Sequence, residues 1–150
     1  GRLRRCRSQV LHNDFSKSNI VVDPLRPAFV TGVIDFGDAV RTAIAIDVST
    51  ALLNQLPSQP VDVFFGDGLD VLRGYLRIAD LTIEELGLIP HLVTSRIIAR
   101  ALLTTWRGRL FPDNAPYILR NTEQSWFQLR WLMSRPMDEL SDDFITAARR

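Results

Sequence analysis

Strand-forming sequence in this chain is confined to one stretch near its start. NIVVDPLRPAFVTGVIDF, residues 19 to 36, holds two β-rich runs, Ile20 to Val22 and Phe29 to Ile34, with Asp23, Pro24 and Pro27 between them. The prolines disfavour helix and offer no ladder donors, so the stretch predicts a small hairpin or looped ribbon. The preceding QVLHND reads as a short extended segment running into a polar loop. From Ala43 the period changes: Ile44, Val48, Ala51, Leu52 and Gln55 recur at helical spacing, and that helix should stop before Pro57. The expected fold is α+β and mainly α-helical, with its strands gathered in a β-ribbon near the beginning.

The helical remainder has its own punctuation. Pro60 can open the next helix, whose apolar positions Val63, Phe64, Val71, Leu72 and Tyr75 are interrupted by Gly66 and Gly68. Thr82 and Glu85 have capping-box spacing, and Gly87 with Pro90 predicts a break or kink before a long helix from about His91 to Arg109, ended by Gly108. On that helix Arg96, Arg100 and Arg107 share a narrow sector, expected to be a solvated face, with an acceptor or anion pocket as the alternative. Ile98, Leu102 and Trp106 point roughly the other way. The proline-rich FPDNAPY is a loop, an amphipathic helix follows from about Asn121 to Met133, and a last short helix begins near Ser141. Trp106, Trp126 and Trp131 are expected in core or interlobe packing.

Length and charge narrow the function classes. One hundred and fifty residues suit a single domain, and 46% apolar with 23% charged residues fit a globular chain. Eighteen basic against seventeen acidic side chains leave +1, so the overall field favours neither nucleic acid nor an anionic membrane as partner. The arginines at 2, 4, 5 and 7 are expected to be a solvated terminus. A lone Cys6 and two histidines are a poor set for structural zinc, and no uninterrupted apolar run approaches 18 residues. A cytoplasmic location is the expectation by exclusion.

The chemistry concentrates in two acidic motifs, HNDFSKSN at residues 12 to 19 and VIDFGD at 33 to 38. Asp35 ends an apolar β-run that Gly37 closes, and Asn19 lies on the loop before it. A carboxylate and an amide oxygen are hard ligands suited to Mg2+, and if they share one ion Asp14 is left to accept a proton or orient a hydroxyl. That division suits metal-assisted phosphoryl transfer. Short loops with Asp and Asn also close turns and cap helices, and spacing alone leaves both readings open. Asp47, inside the apolar AIAIDVSTALL, needs hydrogen-bond donors, since an unpaired carboxylate there would be heavily desolvated.

The order H-x-D-x-x-x-x-N followed by I-D-F-G-D resembles the catalytic and metal-binding loops of the aminoglycoside phosphotransferase and choline kinase type of protein-kinase-like fold, and is most similar to the hydroxylysine kinase-like branch. By that resemblance Asp14 is the catalytic aspartate, Asn19 and Asp35 hold Mg2+ on the phosphates of ATP, His12 braces the loop, and Asp47 supports it from the next helix. Lys17 and Asp38 are candidate acceptor or phosphate contacts, with solvent exposure and loop capping as their alternatives. Asn13 stands where many such phosphotransferases have glycine, so a side-chain contact is expected to replace backbone freedom. The serine two residues after the catalytic aspartate, Ser16, departs from the lysine of protein kinases.

The resemblance covers most of the chain as a single C-terminal lobe, residues 1–150. A glycine-containing hairpin, strand lysine and paired helix carboxylate of an N-terminal nucleotide-binding lobe are not found in it. The expectation is part of a longer ATP-dependent kinase acting on a hydroxyl of a small molecule, hydroxylysine or another amino alcohol first. Alone, it is expected to be inactive and to expose an apolar patch prone to self-association. A metal-assisted phosphate-ester hydrolase and a non-catalytic kinase-like module are the alternatives.

Overall fold

The computed structural model describes residues 1–149, in an α+β arrangement of four short strands and six helices. The strands are β1 (Ser8–Leu11), β2 (Ile20–Asp23), β3 (Arg26–Val33) and β4 (Val40–Ala43). The helices are α1 (Ile44–Leu53), α2 (Gly66–Leu76), α3 (Ile83–Leu110), α4 (Ala115–Leu119), α5 (Thr122–Met133) and α6 (Met137–Ala147).

The strands make two separate antiparallel ladders, and their registers determine where the acidic motifs lie. In the hairpin, Ile20 pairs with Val33 and Asp23 with Arg26. Asp23 closes its turn by accepting the Leu25 N–H at 2.9 Å and the Arg26 Nε at 3.1 Å. Pro27 falls inside β3 instead of in the link; in a two-stranded ladder each strand has an open edge where the missing N–H is harmless. The second ladder, β1 against β4, pairs Leu11 with Val40. Only the β1 half of it was legible as an extended segment. Residues 12–19 and 34–39 therefore both run between the Leu11–Val40 rung and the Ile20–Val33 rung. Two sequence-distant loops are laid side by side by pairing alone.

The helices pack around α3, which touches α1, α4, α5 and α6. Ile89, Val93 and Ile97 of α3 are fully buried against Val48 and Leu52 of α1, Leu132 of α5, and Leu140 and Phe144 of α6. Of the break or kink expected at Gly87 and Pro90, no break occurs: α3 runs continuously from Ile83, with Pro90 inside it and buried. A mid-helix proline costs about 3 kcal/mol. Three fully buried branched side chains on the same stretch recover about 1.5–3 kcal/mol each, which is enough to carry the helix through. The same helix has an 18-residue window of mean hydropathy 1.4, long and apolar enough on composition to cross a membrane, yet here it is the central strut of a helical body.

Other boundaries shift for identifiable reasons. No helix begins at Pro60. Phe64 and Phe65 both enter the core from a turn ahead of α2, Phe64 stacked on Trp131 at 3.8 Å and Phe65 against Phe144 at 4.8 Å. Gly66 and Gly68 open α2 instead of interrupting it, and Gly68 is buried beside Leu52 of α1. Gly108 does not end α3; α4 folds back onto it, leaving 3.1 Å between a Cβ there and Leu119. FPDNAPY forms a 3-10 turn and the start of α4, and α6 begins at Met137, ahead of Ser141. Of the tryptophans only Trp131 packs into the core; Trp106 and Trp126 are exposed.

Two ion pairs, Arg5 with Glu84 and Arg7 with Glu85, tie the N-terminal segment to α3, and the second is set in the helix cap. Thr82 and Glu85 form the expected capping box, with Thr82 Oγ1 accepting the Glu85 N–H at 3.2 Å and Glu85 Oε2 accepting the Thr82 N–H at 2.9 Å. Glu85 is only 1% exposed, and Arg7 meets it through NH2 at 2.6 Å, Nε at 3.2 Å and its backbone N–H at 3.0 Å. Arg7 is exposed, as expected of a solvated terminus, but its guanidinium is tied down by the buried Glu85. Burial pushes the Glu85 carboxyl up, but the hydrogen bonds from Arg7 and Thr82 outweigh it and hold it at about 2 against an ordinary 4.5. Since the folded value lies below the unfolded one, this stabilisation is complete above about pH 5 and is lost as pH falls toward 2. Thermal unfolding followed across that window should show a falling Tm for the native chain and a flatter profile for Glu85→Gln, which at neutral pH should melt roughly 5–10 °C lower. Parallel profiles would remove Glu85 from this role.

Candidate active site

The two loops meet at the Ile34 peptide. Its N–H donates to the Asn19 carbonyl at 3.0 Å, extending the hairpin by one bond, and its carbonyl accepts from His12 Nε2 at 2.8 Å. His12 Nδ1 accepts the Asp14 N–H at 3.3 Å, which assigns the ring proton to Nε2. The buried imidazole, packed 4.7 Å from the Phe36 ring, thus joins the backbone of one loop to that of the other.

Within the first loop Asn13 has φ +63°, in the left-handed region, where asparagine is better tolerated than most residues. The backbone freedom that glycine would supply is needed here after all, and the side chain adds contacts: Nδ2 donates to the Asp38 carbonyl at 3.4 Å, and Oδ1 accepts from Arg96 NH1 at 3.4 Å. The turn is fixed from the helical body. Asp47, in the first turn of α1, accepts the Asn13 N–H on Oδ1 at 2.7 Å. Arg96 NH2 donates to the Asn13 carbonyl at 3.1 Å, and Asn54 Nδ2, at the end of α1, donates to the Phe15 carbonyl at 3.2 Å.

The candidate site side chains sit on this braced loop and the one beside it. Asn19 is buried, and its Nδ2 donates to both the Asp14 carbonyl at 2.9 Å and Asp14 Oδ2 at 3.1 Å. The amide is therefore turned so that Oδ1 has no protein partner among the described residues. Asp14 Oδ1 is likewise unengaged. Asp35 follows Ile34 directly with φ +64°, exposed, and a Cβ on Gly37 would stand 3.4 Å from its Oδ1. The set of donors, an amide oxygen and a carboxylate, fits Mg2+, which binds few protein oxygens and keeps waters and phosphate oxygens for the rest. No group of three His, Cys, Asp or Glu side chains that could hold a metal ion occurs among the described residues.

Lys17 lies exposed in the 3-10 turn before Asn19, and Asp38 is exposed at the end of the second loop. Neither side chain has a hydrogen-bond partner among the described residues.

The arginine sector departs from a solvated face. Arg96 grips the loop, Arg100 is half-buried against Ser125 and Gln128, and only Arg107 is exposed. Arg96 and Asn54 are the contributors that sequence pattern missed. Arg96 carried a signal in its placement on an otherwise apolar helix, whereas Asn54 looked like any helix end. Removing the Asp47 carboxylate as Asp47→Ala leaves a loop N–H without its charged acceptor and should cost about 1–3 kcal/mol by denaturant unfolding, with Asp47→Asn recovering part of it. Equal stability of all three proteins would mean that water satisfies Asn13 as well.

Comparison with known proteins gives the arrangement a context. The model of the phosphotransferase enzyme family, APH, matches residues 1–81, which hold both loops, both ladders and α1. Hydroxylysine kinase of Mus musculus is 23% identical over 99% of this chain and 40% of its own length. Hydroxylysine kinase of Bos taurus is 25% identical over 85% of the chain and 35% of its own. The chain thus spans about two fifths of the curated relatives it matches, and no solved structure matches it. On the family match over more than half its length, the chain belongs to the phosphotransferase enzyme family.

Proposed function

We propose that the chain carries the catalytic and metal-binding loops of an ATP-dependent kinase that phosphorylates a hydroxyl of a small molecule, with amino alcohols such as hydroxylysine as the leading acceptors. The observation that carries this reading is the double hydrogen bond at Ile34, which holds the Asn19 and Asp35 segments against each other within the family's matched region. The acceptor class rests on the names of the two relatives.

In this reading Asp14 is oriented by Asn19 Nδ2 on one carboxylate oxygen, which leaves the other to accept the acceptor's hydroxyl proton. As that proton moves to Asp14, the acceptor oxygen bonds to the terminal phosphorus of ATP and the bond to the ADP oxygen breaks. Asn19 Oδ1 and the Asp35 carboxylate hold Mg2+, which when bound neutralises the phosphate oxygens. Lys17 and Asp38, both exposed on the two loops, are candidate phosphate or acceptor contacts. His12, Asp47, Asn54 and Arg96 position the loop and touch no substrate.

The nucleotide-covering lobe belongs, in this proposal, to the remainder of a longer protein. Val21, Phe29, Val30, Ile34 and Phe36 are exposed on the hairpin and the loop beside it, an apolar surface suited to that lobe. In the full-length protein, hydroxylysine-dependent ADP formation should fall by about 10²–10⁴-fold in Asp14→Asn, while calorimetry finds Mg2+-dependent ATP affinity within a few-fold of the native value. A rate surviving within a few-fold would remove Asp14 as the base. Phosphate release from esters without nucleotide would point to hydrolysis, and loss of all Mg2+-dependent ATP binding in the native protein would point to a binding module.

A further inference from the structure

Three arginines converge on a cleft away from the two loops. Arg100 and Arg107 of α3 and Arg120, at the end of α4, line an open cavity of about 350 Å³, together with Tyr117, Asn114 and Asn121. Arg100 and Arg107 are seven residues apart, so they share one face of α3 about 10 Å apart along its axis. Arg100 begins one turn beyond Arg96, about 6 Å further from the catalytic loop.

The charges in this cleft are uncompensated. No carboxylate lines it, and none of the three arginines is in an ion pair among the described residues. Asp113 and Glu123, the nearest acidic residues in sequence to Arg120, pair with none of them. Arg100 is held by neutral groups, with Nε on Ser125 Oγ at 3.0 Å and NH2 on Gln128 Oε1 at 2.8 Å. Gln128 is itself fully buried and fixed by the Leu56 and Pro57 carbonyls, so the guanidinium is locked in place and NH1 remains without a protein acceptor. Burial lowers the Arg100 pKa, the direction expected of a desolvated cation lacking a counter-charge. Arg120 lies 4.1 Å from the Tyr117 ring centre, a stacking that orders the guanidinium and leaves its N–H edge available.

We propose that this cleft is an anion-binding site for a small molecule bearing two or more negative charges, as phosphate or carboxylate groups. Three cations lining one cleft, two of them fixed on neutral partners, repel one another, and a dianion relieves that repulsion while meeting the planar donor edges that arginine offers to such groups. The volume is that of a metabolite pocket, too confined for a duplex or a protein patch. The site does not depend on the phosphotransfer reading.

Calorimetric titration of the chain with inorganic phosphate and, separately, succinate tests it. The native chain should bind at least one saturably at millimolar concentration or below, more weakly as salt rises. The double variant R107Q/R120Q, altered at two exposed positions, should lose at least tenfold in affinity. R77Q/R109Q, which removes the same charge from exposed positions outside the cleft, should keep it. Tighter phosphate assigns a phosphate ester as the ligand class, and tighter succinate a polycarboxylate. Amide shifts on titrating the native chain should cluster around Arg100, Tyr117 and Arg120, a readout independent of how the variants fold. No binding at 20 mM, equal losses in the two double variants, or shifts centred elsewhere would overturn the proposal.

Discussion

The Ile34 peptide is the joint on which the site is built. Its N–H closes the hairpin onto Asn19, and its carbonyl receives the His12 ring, so one peptide unit is shared by both loops. Each bond alone is worth about 1 kcal/mol in net stability, too little to shape a fold. Their effect is geometric, because they act on loops whose ends the β1–β4 and β2–β3 ladders have already brought together. With four strand ends fixed, little freedom is left to the segments between them, and the amide of Asn19 and the carboxylate of Asp35 emerge from neighbouring backbone.

The helical body then fixes the conformation that the ladders leave open. Asp47 and Asn54 approach from the two ends of α1, and Arg96 from α3, each holding a backbone group of the 12–19 loop. The loop is strained at Asn13, and a residue in the left-handed region persists only when its surroundings over-determine it. That requirement explains the polar side chains set into otherwise apolar helices. The rigidity of α3 in turn rests on packing through Pro90 and on the Arg7–Glu85 pair at its start, so the N-terminal segment and the loop bear on the same helix.

Much of this was legible in the sequence because it follows from short-range rules. The hairpin, the α1 and α5 boundaries and the Thr82–Glu85 capping box rest on periodicity, proline and cap chemistry, which act within a few residues. The family was legible through the resemblance of the HNDFSKSN and VIDFGD motifs, which fall within 27 residues; the spacing of Asp14, Asn19 and Asp35 alone left the chemistry open. What was not legible depends on tertiary partners. The continuity of α3 through Pro90 is decided by burial against α1 and α6, and the β1–β4 ladder pairs segments with the whole site between them. Arg96 and Arg100 were misread because a helical wheel gives direction but not what stands opposite: Arg96 meets the 12–19 loop and Arg100 the buried side of α5, whereas Arg107 is exposed as expected.

Whether Asn19 and Asp35 converge on one ion, as proposed, can be tested directly. A crystal structure of the full-length protein with nucleotide, and Mn2+ in place of Mg2+, would locate the metal by its anomalous signal. The geometry described here predicts an ion about 2.0–2.4 Å from both Asn19 Oδ1 and an Asp35 carboxylate oxygen, with the Asp14 carboxylate facing its open side. A metal held by other residues, with those two oxygens separated beyond any shared coordination, would contradict it.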